Sequence, residues 1–205
     1  NLFLENISVA GFSYMGALAG ENWGTLIHCH VTGAVRGRNT VGGLVGTNGI
    51  RRSARDIPGA PESKSPVSDP NTGLIEECSA NVTIRDEAGG TRGNVIGALL
   101  GRNAGGVVCA CRASGRVEGE GDVGGLVGNN YEGCIRSCYT DCLVRGNRNV
   151  GGLVGINFDG SILFCYAVGP AEAAQREARG LVGSDGSASY LCYWEVQTTG
   201  CASGY

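Results

Sequence analysis

The sequence is poor in the residues that usually fill a compact globular core. Its 205 residues include one methionine, four phenylalanines and two tryptophans, and only 17% of them are charged. It has no run of 18 apolar residues, which excludes a transmembrane helix. The formal net charge is −3 and the basic residues are scattered, so no basic stripe interleaved with aromatics points to nucleic-acid binding.

Glycine and cysteine are abundant instead. The chain holds 37 glycines, which indicates many tight turns and closely approaching backbones. Its ten cysteines are an even number far above cytosolic usage, which favours an oxidising, extracellular setting. The chain begins at Asn1 without an initiator methionine or a signal peptide, so we expect a processed or excised piece. The length fits a single domain over 1–205.

An internal repeat organises the chain. The phrase Val-Gly-Gly-Leu-Val-Gly stands at 41–46, 123–128 and 150–155, with looser copies at 15–20, 96–101 and 179–183. The six leucines are separated by 26, 55, 27, 27 and 28 residues: Leu18, Leu44, Leu99, Leu126, Leu153 and Leu181. The spacing of 55 is one unit plus an insertion at 51–73, which holds four of the five prolines and is predicted to be a projecting loop.

Other columns follow at fixed offsets from the leucines. Four residues after each leucine stand Asn22, Asn48, Asn103, Asn130, Asn157 and Asp185. Further along each unit stand Cys29, Cys78, Cys111, Cys138, Cys165 and Cys192, with Cys78 in register once the insertion is removed. Each unit consists of three short apolar segments separated by Gly or Asn turns, a pattern typical of three strands rather than helices.

These columns predict an all-β fold, a right-handed parallel β-helix (β-solenoid) of about six coils of ~27 residues, with a C-terminal end segment at 186–205. One coil cannot bury its own inner face, so the coils must stack. Equivalent residues then lie about 4.8 Å apart, and like side chains touch. The prediction requires the six leucines to form one row.

The asparagine column predicts a ladder of stacked amides. An asparagine in the left-handed conformation turns the chain, and its amide hydrogen-bonds to the asparagines of the coils above and below. In this prediction Asp185 is the one variant of the ladder.

The GGLVG core, followed by Asn and then by an Ile-x-x-Cys-Tyr/Ser segment, resembles the GLUG repeat of bacterial surface proteins. The segment 192–200, Cys-Tyr-Trp-Glu-Val-Gln-Thr-Thr-Gly, is similar to the one that commonly ends such arrays. The resemblance covers nearly the whole chain apart from the insertion. It implies a secreted or surface-attached β-solenoid without an assigned catalytic centre; the extra cysteines and the insertion depart from the pattern.

The cysteines are candidates for disulfides. Stacking places Cys29 beside Cys78, Cys111 beside Cys138, and Cys165 beside Cys192, within reach of inter-coil bridges. Four further cysteines offer two more bridges: Cys109, Cys134, Cys142 and Cys201. The alternative is a ladder of buried thiols that act as small hydrophobic residues. Connectivity cannot be read from the sequence.

Two features are candidate partner surfaces. Tyr139, Tyr166 and Tyr193 recur at 27-residue spacing and predict an outward ladder of rings, either a platform for sugar rings or a stack that stiffens the sheet. The insertion is a second candidate for recognition. His28 and His30 flank Cys29 on one strand face, but no third ligand stands at a fixed spacing, so we expect no metal and no cofactor.

The sequence gives little support for a catalytic function. The carboxylates that stand near turns do not converge by register: Glu76, Glu77, Glu118, Glu120 and Asp122. The sequence therefore predicts a non-catalytic, extracellular or cell-surface structural or adhesive protein. It is either a surface adhesin module that meets a host or glycan partner or a subunit that self-associates end to end into a fibre. The alternative is a carbohydrate-binding or carbohydrate-active β-helix protein.

Overall fold

A computed structural model describes residues 1–49, 73–86, 94–175, 178–186, 189–196 and 200–203. The insertion predicted at 51–73 lies outside these residues except for Gly73. The described residues form 24 strands, β1 to β24 in chain order, in four sheets that we name A to D.

The four sheets run along the molecule as its sides. Sheet A contains β1 (Leu2–Ala10), β4 (Cys29–Gly37), β8 (Ser79–Asp86), β12 (Arg112–Glu118), β16 (Tyr139–Gly146), β20 (Tyr166–Ala167), β21 (Ala171–Ala173) and β24 (Tyr193–Trp194). Sheet B contains β5 (Thr40–Gly42), β9 (Val95–Gly97), β13 (Asp122–Gly124) and β17 (Asn149–Gly151). Sheet C contains β2 (Ala19–Asn22), β6 (Val45–Asn48), β10 (Leu100–Ala104), β14 (Val127–Tyr131), β18 (Val154–Phe158) and β22 (Val182–Asp185). Sheet D contains β3 (Thr25–Ile27), β7 (Leu74–Glu76), β11 (Val107–Cys109), β15 (Cys134–Arg136), β19 (Ser161–Leu163) and β23 (Ser189–Tyr190).

The chain visits sheets B, C, D and A in turn and then begins the next coil. Neighbouring strands within each sheet belong to successive coils and pair in parallel. This architecture is a parallel β-solenoid, as the sequence predicts. The prediction of three strands per coil is wrong: a complete coil has four.

The leucine column forms the predicted row. The Leu44 amide donates to the Leu99 carbonyl at 3.0 Å, and the Leu99 amide donates to that of Leu126 at 3.0 Å. The same bond links each of the other consecutive leucines. All are fully buried except Leu18, which lies in the first coil and is partly buried. Burial of one leucine side chain contributes roughly 2 kcal/mol, so the row is a continuous source of stability along the axis.

The additional strand arises because the GGLVG phrase is a corner, not a strand. In the second coil β5 ends at Gly42, the chain bends at Gly43 and Leu44, and β6 begins at Val45. Val41, Leu44 and Val45 are all fully buried, although residues of one strand would alternate between its two faces. The bend breaks that alternation and turns all three apolar side chains into the core.

Candidate functional site

The asparagine column is a continuous hydrogen-bonded ladder. Asn48 Nδ2 donates to Asn103 Oδ1 at 3.0 Å, Asn103 to Asn130 at 2.8 Å, and Asn130 to Asn157 at 2.8 Å. Asn22 begins the ladder with a 2.8 Å bond to Asn48, and Asp185 ends it by accepting from Asn157 at 3.1 Å. The predicted ladder residues therefore stack in register through six coils.

The ladder has a fixed direction. Each amide nitrogen also donates to a nearby glycine carbonyl, as Asn103 does to Gly106 at 3.0 Å and Asn130 to Gly133 at 3.1 Å. A flipped amide would place its oxygen against two acceptors, so every donor points toward the C-terminal end. The Asn22 oxygen is consequently the acceptor that the ladder presents at its N-terminal end.

The prediction that the ladder asparagines are left-handed is wrong. They lie within the strands of sheet C, and none has a positive φ. Six of the left-handed residues stand instead at the corner between sheets D and A, directly before the cysteine column: His28, Glu77, Ala110, Ser137, Phe164 and Leu191, with φ from 50 to 54°. Their side chains share no chemistry, so no residue type marks this corner in the sequence.

The column cysteines close that corner from inside. Cys111 Sγ donates to the Cys109 carbonyl at 3.1 Å and Cys138 Sγ to the Arg136 carbonyl at 3.1 Å, each across one left-handed residue. The Cys111 amide in turn donates to Cys138 Sγ at 3.4 Å. All six column cysteines are buried. Contact with the thiols of its column neighbours, together with burial, raises the pKa of Cys138, which favours the neutral and unreactive form.

All ten cysteines lie within the described residues, and the structure places none of them in a disulfide. The structure thus presents the column as a ladder of buried thiols, and disulfide pairing stays a prediction. Of the remaining four cysteines, Cys109 and Cys134 lie on adjacent strands of sheet D, but each stands opposite another residue. Cys142 Sγ donates to the Gly125 carbonyl at 3.2 Å, and burial raises its pKa to about 12.

The three tyrosines form one row on the outer face of sheet A. Tyr139 stands opposite Tyr166, and Tyr166 opposite Tyr193. The rings of Tyr139 and Tyr166 stack, with centroids 5.2 Å apart and planes 8° apart. Tyr193 is 67% exposed. The predicted outward ladder is therefore present in the part that these contacts describe.

The same row continues toward the N-terminal end with residues that our sequence analysis did not connect to it. Register places Arg112, Ser79, His30 and Phe3 in successive coils beyond Tyr139. The rings of Phe3 and His30 stack, with centroids 4.7 Å apart. Each residue that directly follows a column cysteine lies in this row. The sequence position that identifies the tyrosines therefore also identifies Arg112, Ser79 and His30.

A groove lies on sheet A between these two aromatic pairs. We call it the sheet A groove; it has a volume of about 640 Å³. One wall is the row from Phe3 to Tyr139, and the other is the next outward row: Thr32, Asn81, Ser114 and Asp141. Its floor includes the backbone of Val31, Ala80 and Ala113, whose side chains point into the core.

Charged residues of sheet A are largely paired with each other. Arg85 and Arg116 both contact Glu118, and Arg145 Nε lies 2.8 Å from Glu172. These pairs run along the far ends of the strands, away from the tyrosine row. Because every partner keeps at least 27% of its side chain exposed to solvent, each pair contributes little to stability.

The two histidines serve separate contacts. His28 Nδ1 lies 3.0 Å from Glu77, at the corner, whereas His30 Nδ1 lies 2.7 Å from Ser79 Oγ on sheet A. Within the described residues no cluster of three His, Cys, Asp or Glu side chains has the arrangement of a metal site. No helix of that part of the chain has the length and apolar character needed to cross a bilayer.

The candidate carboxylates lie on different sides of the solenoid. Glu76 lies on sheet D and Glu118 on sheet A, where it is ion-paired. Asp122 lies on sheet B and accepts a 2.8 Å hydrogen bond from Asn149; burial raises its pKa. Glu77 is the partner of His28. The coils thus separate these residues instead of gathering them into a pair of acid and base.

The N-terminal end of the solenoid exposes part of its core. Its inward-facing side chains remain partly accessible: Leu4, Ile7, Val9, Leu18 and Leu26. Around them lie exposed aromatic residues, with Phe12 at 62% and Trp23 at 48% exposure. Equivalent apolar positions of later coils, such as Leu44 and Ile75, are fully buried. We call this surface the open end.

The opposite end is covered by the chain itself. The Trp194 ring lies directly against Gly180, where an added Cβ would come within 2.1 Å of it. Trp194 Nε1 donates to the Cys201 carbonyl at 3.3 Å, and the Gly180 amide donates to the Ser203 carbonyl at 2.8 Å. The described part of the C-terminal segment thus packs onto the last coil, and the two ends of the molecule differ.

Comparison with known proteins gives one partial similarity. No family model matches the chain, and no solved structure matches it. A stretch of 47 residues, 23% of the chain, is 49% identical to halomucin of Haloquadratum walsbyi. Rounded to a whole percent, the match covers 0% of the length of halomucin, so nearly all of that protein lies outside the comparison. This similarity covers too little of either protein to show a function of the chain.

Proposed function

We propose that the chain is a non-catalytic structural and adhesive module of a secreted or cell-surface protein, related to the GLUG-repeat surface proteins. Its function is to present a rigid outer surface. The observation that carries this proposal is the uninterrupted stack of leucines, asparagines and cysteines, which fixes the side chains of each outer row at regular intervals. The separation of the carboxylates onto different sheets supports the non-catalytic part of the proposal.

The difference between the two ends supports a module of a longer solenoid over a fibre of identical copies. In a fibre the C-terminal end of one copy would meet the open end of the next, and Asp185 would face Asn22. The ladder presents an acceptor oxygen at Asn22, and an ionised carboxylate also only accepts. Two buried acceptors face each other at a cost of about 1–3 kcal/mol or more. The packed Trp194 segment further obstructs that contact.

A further coil with an asparagine at the ladder position meets the requirements of the open end. Its amide donates to Asn22, and its apolar residues cover Leu18 and Leu26. The outer row of Tyr139, Tyr166 and Tyr193 is then the surface we propose for a host or glycan partner. The carbohydrate-binding alternative has its own support in the sheet A groove.

Electron microscopy and sedimentation velocity of the purified chain test this proposal. We expect short particles about 30 Å along the axis, six coils at about 4.8 Å each, and no growth in length with protein concentration. Long uniform fibres of the chain alone would overturn the module proposal and support end-to-end assembly. Asp185→Asn is the matched variant, because it restores a donor at the C-terminal end without a change in side-chain size.

A further inference from the structure

We propose that the sheet A groove binds a linear acidic polysaccharide, with its sugar rings along the solenoid axis and a carboxylate at Arg112. This site goes beyond the structural role proposed above and does not depend on it. It shares Tyr139 with the tyrosine row and extends from there toward the N-terminal end.

The groove has the dimensions of a short run of sugar rings. Its ends are the stacked pair of Phe3 and His30 and the stacked pair of Tyr139 and Tyr166. His30 and Tyr139 lie three coils apart in register, about 14 Å at the usual strand spacing. Ser79 and Arg112 occupy the two coils between them, so the aromatic row is interrupted in the middle of the groove.

Aromatic faces and short polar side chains together suit a sugar. The apolar face of a pyranose ring packs against the exposed aromatic rings at the ends of the groove. Thr32, Asn81 and Ser114 point outward from successive strands of the second wall. Their hydroxyl and amide groups both donate and accept hydrogen bonds, as sugar hydroxyls do. Asp141 ends this wall with a carboxylate, which accepts hydrogen bonds from sugar hydroxyls but repels a uronate, so the uronate must bind at Arg112.

Arg112 gives the groove its preference for an anion. Its guanidinium is exposed on the outer face, and no carboxylate of the described residues forms an ion pair with it. Three other arginines of sheet A, by contrast, contact glutamates: Arg85 and Arg116 share Glu118, and Arg145 pairs with Glu172. A guanidinium binds a carboxylate through two parallel hydrogen bonds, so a uronate unit is the sugar that Arg112 selects.

A peptide is a poorer occupant of this groove. An extended peptide usually binds by adding a strand to a sheet edge through its backbone. The groove lies over the face of sheet A, where the strands on both sides already pair with each other. Only side chains are available to a ligand there, and rings and hydroxyls use such contacts well.

Isothermal titration calorimetry on the full chain tests the proposal, with oligogalacturonates as the acidic probe and maltooligosaccharides as the neutral one. We expect binding of the acidic probe and at least tenfold weaker binding of the neutral one. Arg112→Ser and Tyr139→Ala should each weaken acidic binding at least tenfold. Arg136→Ser, at an exposed arginine on sheet D, should change it less than twofold.

Three outcomes would overturn the proposal. They are the absence of acidic binding to the wild-type chain, equal binding of both probes, and an equal loss in Arg136→Ser, which would indicate attraction by net charge alone. Amide chemical shifts of the wild-type chain on titration give a second measurement that needs no variant. Shifts confined to β1, β4, β8, β12 and β16 support the groove, and shifts on sheets C and D contradict it.

Discussion

At the scale of single residues, the inner corner between sheets D and A explains why cysteine recurs at one position. The corner residue before each column cysteine is left-handed, which costs a side-chain-bearing residue about 1 kcal/mol. The thiol bridges the corner by donating to the carbonyl two residues earlier, as in Cys165 to Leu163 at 3.2 Å. Serine would bring a more strongly solvated hydroxyl into the same dry position. A thiol is small, weakly polar and suited to burial.

Because of Cys142, the free energy of unfolding should decrease as the pH rises above 9. Burial raises its pKa from 9.0 to about 12 in the folded chain. Stabilisation by the neutral thiol is therefore complete below pH 9 and is lost as the pH rises toward 12, because the unfolded chain releases the proton first. The full shift corresponds to about 4 kcal/mol. Between pH 8 and pH 11, the free energy of unfolding measured in urea should fall by less for Cys142→Ala than for the wild type.

Val82→Ala is the control for this prediction. Val82 lies in the same row of sheet A, two coils earlier, and is equally buried but does not titrate. Its substitution should reduce the free energy of unfolding by the same amount at both pH values. A Cys142→Ala variant with that pH-independent behaviour would show that folding does not raise the pKa of the Cys142 thiol.

At the scale of elements, the corner between sheets B and C depends on glycine for space. In the fourth coil the chain leaves β13 at Gly124 and enters β14 at Val127. A Cβ at Gly124 would lie 2.0 Å from the Val127 carbonyl oxygen, a backbone atom of the same corner. The strands on both sides hold that backbone in place, so the contact cannot relax.

Gly124→Ala should therefore destabilise the chain by about 3 kcal/mol, the upper part of the range for overpacked sites. Urea unfolding followed by circular dichroism measures the change. Gly186→Ala is the matched control, since its added Cβ would meet nothing closer than 3.8 Å. A loss below about 0.5 kcal/mol in Gly124→Ala, equal to that of an ordinary surface substitution, would mean that the corner adjusts its backbone freely.

At the scale of the whole molecule, the ladder gives the solenoid a polarity. All its amide donors point toward the C-terminal end, where Asp185 accepts the last hydrogen bond. The C-terminal segment packs on that end, while Leu18 and Leu26 remain partly accessible at the other. Each coil contacts only its neighbours, and the ladder residue of each coil accepts a hydrogen bond from the asparagine of the coil before it. Further coils can therefore be added only at the N-terminal end.

An added coil at the open end should stabilise the chain. A copy of residues 110–136 placed before Asn1 continues the register, because Leu2 is equivalent to Cys29, Cys111 and Cys138. We expect the melting temperature to rise by about 5 °C, since 1 kcal/mol corresponds to roughly 2–4 °C in a chain of this size. Binding of a dye for exposed apolar surface should fall at the same time.

The control is the same extension with aspartate in place of the copied Asn130. Its apolar residues still cover the open end, but its carboxylate cannot donate to Asn22. The gain in melting temperature should be clearly smaller than with asparagine. Equal gains would show that apolar contact alone determines how coils stack and that ladder polarity has no part in it.

Periodicity in the sequence determined the solenoid itself. Parallel coils in register place equivalent positions over one another, so a column that repeats along the chain becomes a row in space. The leucine row, the asparagine ladder and the stacked tyrosines were predictable for this reason. Because Cys29, Cys78 and Cys111 recur at the same offset, their burial in one column was predictable as well.

Only the tertiary structure determined the bend of the chain, the groove in which residue types differ from coil to coil, and the direction of the ladder. The bend at Gly43 and Leu44 turns successive residues inward, which a period of two cannot encode. The sheet A groove joins Phe3, Ser79, Arg112 and Tyr139, whose identities do not repeat, so no periodic signal marks the site. The direction of the ladder depends on which atom each amide turns toward its neighbour, and the packing of each asparagine beside a glycine carbonyl determines that choice.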